Sequence, residues 1–353
     1  MKLPLWNTTL LNLLRPKQRR GQSAYARARG QVTHVLILDG TLSTLWPGYE
    51  GNAGLTYKLL EEISGTELSV YYEAGLQWHR WRGARNVILG HGLNRQIRRA
   101  YGYLCSRYRP GDRIFLFGYS RGAYAVRSLA GVIDRVGLLK HEFATVRNIK
   151  TAYRHYQCSP GSPASQEFAQ AYCHKAAPIE MVGVWDTVKA LGLRWPIIWR
   201  WSEAAHAFHS HVLGPSIRHG FHALALGETR VAYEPVLWDC PDGHKGVIEQ
   251  VWFKGAHSDI GGQLNGFHAA RPLSNIPLVW MLNKAVGCNL SLPPNWKARF
   301  ETDVNAPAVG SWRGWGKIFW IRRKRRVGRD MSERLHESVK GRQIARPVTK
   351  HAV

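Results

Sequence analysis

Short apolar runs alternate along the chain with segments whose apolar residues recur at helical spacing. Strands are predicted at 34–40 (HVLILDG), 67–75 (ELSVYYEAG), 112–120 (DRIFLFGYS), 179–187 (IEMVGVWDT) and 249–257 (EQVWFKGAH). Apolar runs that have no polar face and are bounded by turn residues are typical of strands covered on both sides. Helices are predicted at 55–63, 94–108, 121–133 and 274–286. This alternation indicates an α/β fold with a mostly parallel central sheet flanked by helices.

Three successive predicted strands end in a polar residue, in the order Ser120, Asp186 and His257. Functional sites of open parallel sheets lie beyond the carboxyl ends of the strands. The sequence therefore predicts that these three side chains meet at one edge of the sheet.

The pentapeptide GYSRG at 118–122 fits the pattern G-x-S-x-G, directly after a buried strand and directly before a helix. That context predicts a nucleophile elbow, in which Gly118 and Gly122 permit a sharp turn that exposes the Ser120 hydroxyl. The alternative is a turn of small residues that joins strand to helix and has no catalytic role. This alternative is less favoured because both the strand and the helix that an elbow requires are predicted here.

A serine nucleophile needs a base and a group that orients the base. His257 is the predicted base and Asp186 the predicted acid, since the order Ser–Asp–His is that of this fold. Asp186 could instead cap the following helix, and His257 could be a hydrogen-bonded loop residue. Asp259, two residues past His257, is a rival acid that ranks below Asp186.

The oxyanion of an acyl-transfer reaction needs preorganised N–H donors. The backbone N–H of Arg121, at the start of a helix, is one predicted donor. The first strand ends in DGT at 39–41, where the N–H of Gly40 or Thr41 is the second predicted donor and Asp39 is expected to brace the loop.

Composition adds a strong basic bias to this picture. The 353 residues are 44% hydrophobic and 21% charged, with a net charge of +25. Residues 1–30 hold seven basic and no acidic side chains, and residues 313–353 hold thirteen basic and three acidic ones. The apolar content excludes a disordered or fibrous protein, and the charge favours polyanionic partners.

Two further clusters bear on cofactors and membranes. Five histidines, His206, His209, His211, His219 and His222, lie close together without a zinc-type spacing. Packed or solvated histidines are favoured over a metal site, and no cofactor is expected. Trp and Arg alternate at 78–82 and 193–201, as suits a membrane interface, although core packing explains any single Trp as well.

Together these motifs resemble an uncharacterised α/β-hydrolase family that includes the type VI secretion phospholipase effectors of the first lipase class. The matching stretches run in family order from about residue 33 to 339: ILDGT, AYGYL, DRIFLFGYSRGAYAVRSLAG, VGVWDTV, FHALALGETRVAYEPVLW, QVWFKGAHSDIGG, LSNIPLVWML and HESV. The resemblance implies a bacterial lipid-degrading hydrolase with a Ser120–Asp186–His257 triad that cleaves phospholipid esters. Three positions depart from the family pattern, namely Ser43, Gly227 and Gln263. These departures bear on how the loops are ordered and on which substrate is accepted, whereas the serine, the acid and the histidine are all present.

These observations predict an α/β-hydrolase domain at 31–312 with inserted cap helices, a basic N-terminal segment at 1–30 and a basic C-terminal segment at 313–353. The expected function is serine-dependent ester hydrolysis of phospholipids or related lipids. An esterase for a soluble substrate, or an anion- or nucleic-acid-binding protein on a hydrolase scaffold, are the alternatives.

The expected partner is a lipid or membrane surface with anionic headgroups, and nucleic acid is not expected. No signal peptide is predicted. The expected location is therefore the cytoplasm, with peripheral membrane binding or delivery by a secretion system as further options.

Overall fold

The computed structural model describes residues 29–75, 91–188, 213–240, 246–313 and 320–339. The strands are β1 (Thr33–Leu38), β2 (Leu68–Glu73), β3 (Arg113–Tyr119), β4 (Ile179–Trp185), β5 (Ile217–Ala225), β6 (Val247–Phe253) and β7 (Glu333–Leu335). The α-helices are α1 (Asn52–Glu62), α2 (His91–Arg107), α3 (Arg121–Arg135), α4 (Val146–Cys158), α5 (Pro163–Tyr172), α6 (His257–Gly261) and α7 (Arg271–Gly287). Short 3-10 helices cover His141–Phe143, Val231–Tyr233, His268–Ala270 and Trp296–Arg299.

The seven strands form one sheet in the order β2-β1-β3-β4-β5-β6-β7, and every neighbouring pair is parallel. The predicted α/β fold with a parallel sheet is confirmed. Because all strands point the same way, the residues that follow β3, β4 and β6 lie at the same edge of the sheet.

The uninterrupted apolar runs are explained by two cores, one on each face of the sheet. In β1, Leu36 and Leu38 enter one core, whereas Val35 and Ile37 enter the other. The first core lies under α2 and α3, and the second lies under α1 and α7. A strand covered on both faces needs apolar residues at every position rather than at every second one.

The sequence predicts inserted cap helices, and the structure describes two inserted helices, α4 and α5. α4 and α5 lie between α3 and β4 in the chain, and α4 packs against α2 and α3. Tyr153 and Tyr156 of α4 and Phe168 of α5 belong to the first core. These two helices therefore add to the helical layer on that face of the sheet. The Trp and Arg segments at 78–82 and 193–201, like residues 1–28, lie outside the described residues.

Two strands differ from the sequence prediction. β5 lies between β4 and β6, so the three strands that end in Ser120, Asp186 and His257 are not successive. Its sequence, IRHGFHALA, carries polar residues that interrupt the apolar run. β7 pairs with β6 although residues 333–335 fall in the predicted C-terminal segment, so a boundary at 312 leaves out a strand of the sheet.

Within the described part of the chain, no helix combines the length and the apolar character that crossing a membrane requires.

Candidate active site

Ser120 sits in a strained turn between β3 and α3. Its backbone has φ 58° and ψ −120°, a left-handed region that non-glycine residues rarely adopt. A Cβ on Gly122 would lie 2.0 Å from the Leu38 carbonyl oxygen, and one on Gly118 would lie 2.7 Å from the Ala123 nitrogen. Both predicted glycines are therefore needed because the elbow packs directly against neighbouring backbone.

The structure brings Ser120, His257 and Asp186 together in one hydrogen-bonded chain. His257 Nε2 lies 2.9 Å from Ser120 Oγ, and His257 Nδ1 lies 2.5 Å from Asp186 Oδ2. Ser120 occupies the N-cap position of α3 but makes no capping bond with its side chain. The hydroxyl, the imidazole and the carboxylate thus stand in the geometry that hydroxyl activation requires.

Asp186 follows β4 and is fixed by the neighbouring strand β5. Its backbone, like that of Ser120, has a positive φ, of 40°. The Asp186 N–H donates to the Ala223 carbonyl at 2.8 Å, and the Ala225 N–H donates to Asp186 Oδ1 at 3.0 Å. The strand that the sequence did not predict is therefore the one that holds Asp186.

Arg325 completes the surroundings of the Asp186 carboxylate. Its Nη1 donates to Oδ1 at 2.5 Å and its Nη2 donates to Oδ2 at 2.9 Å, and the same nitrogens reach the carbonyls of Ala225 and Tyr233. Burial alone would raise the pKa of Asp186, but Arg325 and His257 outweigh it and hold that pKa well below its usual range. Asp186 is therefore ionised at every physiological pH.

His257 is enclosed by two aromatic rings. The Tyr119 ring lies 4.9 Å from the imidazole, and the Tyr233 ring packs edge-on at 4.8 Å. Burial lowers the pKa of His257 below its ordinary value, although the Asp186 carboxylate opposes this shift. The imidazole is consequently neutral at neutral pH, as a general base must be.

A second buried ion pair supports the backbone of His257. Glu228 Oε2 accepts from Arg230 Nη2 at 2.7 Å and from the His257 N–H at 3.2 Å, while Oε1 accepts from Arg230 Nε at 2.8 Å. Burial raises the pKa of Glu228, but Arg230 lowers it by more. Arg230 in turn stacks over the Tyr233 ring, with its guanidinium carbon 3.8 Å from the ring centroid.

The three predicted oxyanion donors differ in whether their backbone N–H groups already have an acceptor. The Gly40 N–H donates to Asp39 Oδ1 at 2.7 Å, so Gly40 is not available as a donor in this conformation. Its lack of a side chain has a steric reason, because a Cβ there would lie 2.6 Å from the Tyr119 ring. In the regions described, neither the Thr41 N–H nor the Arg121 N–H has a protein acceptor, which leaves both free to hold a ligand oxygen.

Asp39 organises the loop at 39–41 through both of its carboxylate oxygens. Besides Gly40, it accepts from Ser43 Oγ at 2.9 Å and from Tyr72 Oη at 2.8 Å. Burial raises the pKa of Asp39. Gln263 Nε2 donates to the Thr41 carbonyl at 3.0 Å. Two of the positions that depart from the family pattern, Ser43 and Gln263, therefore both contact the loop at 39–41, which holds the predicted oxyanion donors and is called the oxyanion loop below.

The rival acid Asp259 serves another purpose. Its carboxylate accepts from the backbone N–H groups of Ala256 at 2.8 Å, Val309 at 2.6 Å and Gly310 at 3.3 Å. It thereby joins the start of α6 to the 309–310 loop. The carboxylate bonded to the imidazole is that of Asp186.

The histidine cluster is split by the fold. His206, His209 and His211 lie outside the described residues. His219 Nδ1 donates to the Glu180 carbonyl at 2.8 Å, and the fully buried His222 accepts from the Thr187 N–H at 3.1 Å. Burial lowers the pKa of His222 to about 3. Among the residues that can be placed, no group of three or more His, Cys, Asp or Glu could hold a metal ion.

Sequence reasoning missed Arg325, Glu228 and Arg230. Arg325 lies within a run of five basic residues at 322–326, and nothing in that run marks the one that turns inward. The sequence gives only a weak indication that Glu228 and Arg230 belong to the site, namely that they closely follow the apolar run FHALALG.

Comparison with known proteins adds four findings. The family described as T6SS, Phospholipase effector Tle1-like, catalytic domain, matches residues 33–284. The Saccharomyces cerevisiae protein titled Uncharacterized protein YEL023C is 29% identical over 185 residues, which are 45% of this chain and 27% of that protein.

Among solved structures, an uncharacterized Pseudomonas aeruginosa protein has a TM-score of 0.46 at 16% identity, covering 79% of this chain and 50% of its own. A Tle1 effector bound to the VgrG spike of the type 6 secretion system has a TM-score of 0.37 at 17% identity, covering 67% of this chain and 52% of its own. The chain thus spans about a quarter of the yeast relative and about half of each of these two structures.

Proposed function

Since the chain belongs to the family of Tle1-like type VI secretion phospholipase effector catalytic domains, we propose that it is a serine-dependent hydrolase that cleaves the carboxylic ester bonds of phospholipids or related lipids. The observation that carries this proposal is the continuous chain of hydrogen bonds from Ser120 through His257 to Asp186. The strained Ser120 backbone supports it as well, because strain of this kind is concentrated at functional sites.

In the first half of the reaction, Ser120 Oγ attacks the acyl carbonyl carbon while His257 Nε2 accepts the hydroxyl proton. The tetrahedral intermediate collapses when the bond to the leaving alcohol breaks, and His257 returns the proton to the alcohol oxygen. The acyl group is then bonded to Ser120. A water molecule, deprotonated by His257, attacks this ester and releases the fatty acid and the free serine.

The remaining groups of the site fix charge and orientation. Asp186 holds His257 Nδ1 protonated and stabilises the imidazolium, and Arg325 positions Asp186. The backbone N–H groups of Arg121 and Thr41 hold the developing oxyanion, since both lack a protein acceptor in the described regions. Each donor of this kind contributes roughly 3 kcal/mol of transition-state stabilisation.

A lipid substrate is further supported by large apolar side chains exposed near the site. We name five of these residues the apolar rim: Leu42 and Trp46, with 48% and 75% of their surface exposed, Tyr49 with 53%, Trp320 with 86% and Ile321 with 69%. The first three follow the oxyanion loop. The carbonyl of Ile321 accepts from the Val231 N–H, two residues before Tyr233. Exposed apolar groups in segments that adjoin a site suit a membrane surface.

We place residues 320–339 in the catalytic domain together with the predicted range 31–312, because β7 and Arg325 both belong to them. A separate basic segment at 1–30 stays a prediction. Membership in an effector family supports delivery by a secretion system, and a cytoplasmic location before delivery also stays a prediction.

The test is hydrolysis of phosphatidylcholine vesicles and of a short soluble ester by the intact chain, with the released fatty acid identified by mass spectrometry. We expect activity on both substrates, its loss in Ser120→Ala, and labelling of Ser120 by a fluorophosphonate. Ser106→Ala, an exposed serine of α2, is the matched control. Activity on the soluble ester alone would favour the alternative of an esterase for a soluble substrate. If neither substrate is hydrolysed, the alternative of an anion-binding protein is favoured.

A further inference from the structure

A basic groove lies beside the triad acid. We use this name for the concavity lined by six basic residues: Arg230, Arg323, Lys324, Arg325, Arg326 and Arg329. The groove is partly open to solvent, and Glu234 is the one acidic residue among its described lining residues.

The groove forms because residues 320–326 run alongside 229–234. The Arg323 N–H donates to the Thr229 carbonyl at 2.7 Å, and the Val231 N–H donates to the Ile321 carbonyl at 3.1 Å. This pairing brings the basic run at 322–326 against Arg230 and Arg329. The groove is thus a built feature of the fold rather than a chance approach of surface side chains.

Three carboxylates pair with cations of the groove. Asp186 binds Arg325, and Glu228 binds Arg230. Glu234 is shared by two cations, with contacts of 2.9 Å to Arg323 and 3.4 Å to Arg329. Six cations against three carboxylates leave an excess of three positive charges.

Lys324 and Arg326 account for most of that excess. Both are exposed, and neither has a carboxylate partner within the part of the chain that the structure describes. Unpaired cations that line a concave surface concentrate anions there, because the low-dielectric walls focus the field. Guanidinium groups in particular match the oxygens of a phosphate.

A donor without a hydrogen-bond partner, on one of the residues that line the groove, is a second, independent observation. Only 5% of the Arg325 side chain is exposed, and its buried Nε has no hydrogen-bond partner among the residues that the structure describes. A buried donor without a partner is costly in free energy, and an anionic oxygen is the partner that a guanidinium accepts best. Because Arg325 also binds Asp186, a ligand of this groove would touch the support of the triad.

We propose that the basic groove binds a phosphate group, supplied either by a lipid headgroup or by a soluble phosphate ester. The lipid source deepens the proposed function and rests on it, whereas binding of the phosphate group itself does not. Lys324 and Arg326 provide the long-range attraction, and Arg325, which also lines the groove, presents a buried donor.

The test measures binding rather than turnover, in the full chain carrying Ser120→Ala so that no lipid is consumed. Vesicles of phosphatidylcholine with phosphatidic acid are compared with vesicles of phosphatidylcholine with oleate at matched surface charge. The soluble arm titrates glycerol phosphate at constant ionic strength. The groove variant is Lys324→Gln with Arg326→Gln, and the matched control is Lys150→Gln with Arg154→Gln, which removes two exposed charges from α4.

We expect the groove variant to bind phosphatidic acid vesicles roughly twenty-fold more weakly, since two cations near the ligand are lost. The control should bind nearly as well as the parent. Loss in the vesicle arm alone identifies a lipid headgroup, and loss in the soluble arm identifies a soluble ester. Unfolding temperatures of both variants verify that the fold is retained.

Three outcomes would overturn the proposal: equal losses in the groove and control variants, equal binding to phosphatidic acid and oleate vesicles, or stronger retention on duplex DNA than on either vesicle. Each would mean that general surface charge, and not this groove, attracts the anion. Failure of the wild-type chain to hydrolyse lipid would reject the proposed function while leaving the phosphate site intact.

Discussion

Arg325 and Asp186 form a bidentate ion pair in which each terminal guanidinium nitrogen meets a different carboxylate oxygen, at 2.5 Å and 2.9 Å. Asp186 is fully buried and only 5% of the Arg325 side chain is exposed. The positive charge that stabilises the carboxylate also disfavours a second cation nearby, and the His257 imidazolium formed in the reaction would be such a cation. We therefore expect Arg325 to influence both the orientation of Asp186 and the pH at which His257 can act as a base.

Replacing Arg325 with Met should change the pH profile of ester hydrolysis. His257 must be neutral to accept the Ser120 proton, so kcat/KM rises with pH through the pKa of His257, which burial holds below its ordinary value. Without the guanidinium we expect that pKa to rise, and the acidic limb should move to higher pH. The value of kcat should fall roughly ten-fold because Asp186 loses two bonds.

Two further variants show whether the effect of Arg325 comes from its positive charge or from the planar shape of its guanidinium group. Arg325→Lys keeps the positive charge but lacks the planar fork, so its acidic limb should stay in place while kcat still falls. Arg334→Met removes an exposed charge from β7 and should change neither quantity. An acidic limb that does not move in Arg325→Met would show that the residue acts on the fold alone.

The choice between the two candidate acids can be tested by paired substitutions. Asp186→Asn should fold but lose roughly 10⁴-fold in kcat, because the amide cannot hold the required tautomer of His257 or stabilise its cation. Asp259→Asn should keep most of its activity. It should instead lower the free energy of unfolding by about 1–3 kcal/mol, since Asp259 satisfies three backbone N–H groups. The reverse pattern, measured by soluble-ester turnover and urea unfolding, would contradict the assignment of Asp186.

The part of the site nearest to Ser120 could be predicted from the sequence because its signal is local. Gly118, Ser120 and Gly122 lie within five residues, and the run IFLF at 114–117 before them is wholly apolar. Asp186 and His257 could be proposed because each closes an apolar run, and parallel strands bring their ends together. His257 itself begins α6 rather than ending β6, which shifts one boundary by a few residues without moving the side chain away from the sheet edge.

The unpredicted part of the site depends on contacts between distant segments. β5 was missed because Arg218, His219 and His222 break its apolar run, although His222 is fully buried and accepts from the Thr187 N–H. Arg325 was missed because its partner lies 139 positions away, and basic residues in a run look alike. The spacing of apolar residues does not indicate which distant polar residues pair, so these pairs are identified only from the folded structure.

The tightness of the nucleophile elbow can be measured by adding a methyl group. A Cβ at Gly122 would lie 2.0 Å from the Leu38 carbonyl oxygen and 2.5 Å from that of Asp39. Because both are backbone atoms that cannot swing away, Gly122→Ala should lower the free energy of unfolding by about 3 kcal/mol or more. Gly65→Ala, where no atom lies within 4 Å of the added carbon, is the control. Equal unfolding midpoints of the two variants would rule out this close packing.

The Glu228–Arg230 pair should show strong coupling in a double-mutant cycle. Either single change, Glu228→Gln or Arg230→Met, leaves a buried charge without its partner and should cost about 3–5 kcal/mol in urea unfolding. The double variant should be less destabilised than the two single effects combined, because no unpaired charge is left. Additive effects would mean that the pair is hydrated and contributes little to the position of His257.

The apolar rim should matter for substrate at an interface more than for substrate in solution. Trp46 and Trp320 are 75% and 86% exposed, and an indole ring gains free energy when it enters the headgroup region of a bilayer. Replacing both with Ser should therefore reduce the ratio of vesicle hydrolysis to soluble-ester hydrolysis by roughly ten-fold or more. Val146→Ser, which removes an equally exposed apolar group from α4, should leave the ratio unchanged. A fall in both activities by the same factor would place these tryptophans in the fold rather than at the membrane, because only lost interfacial binding acts on the vesicle substrate alone.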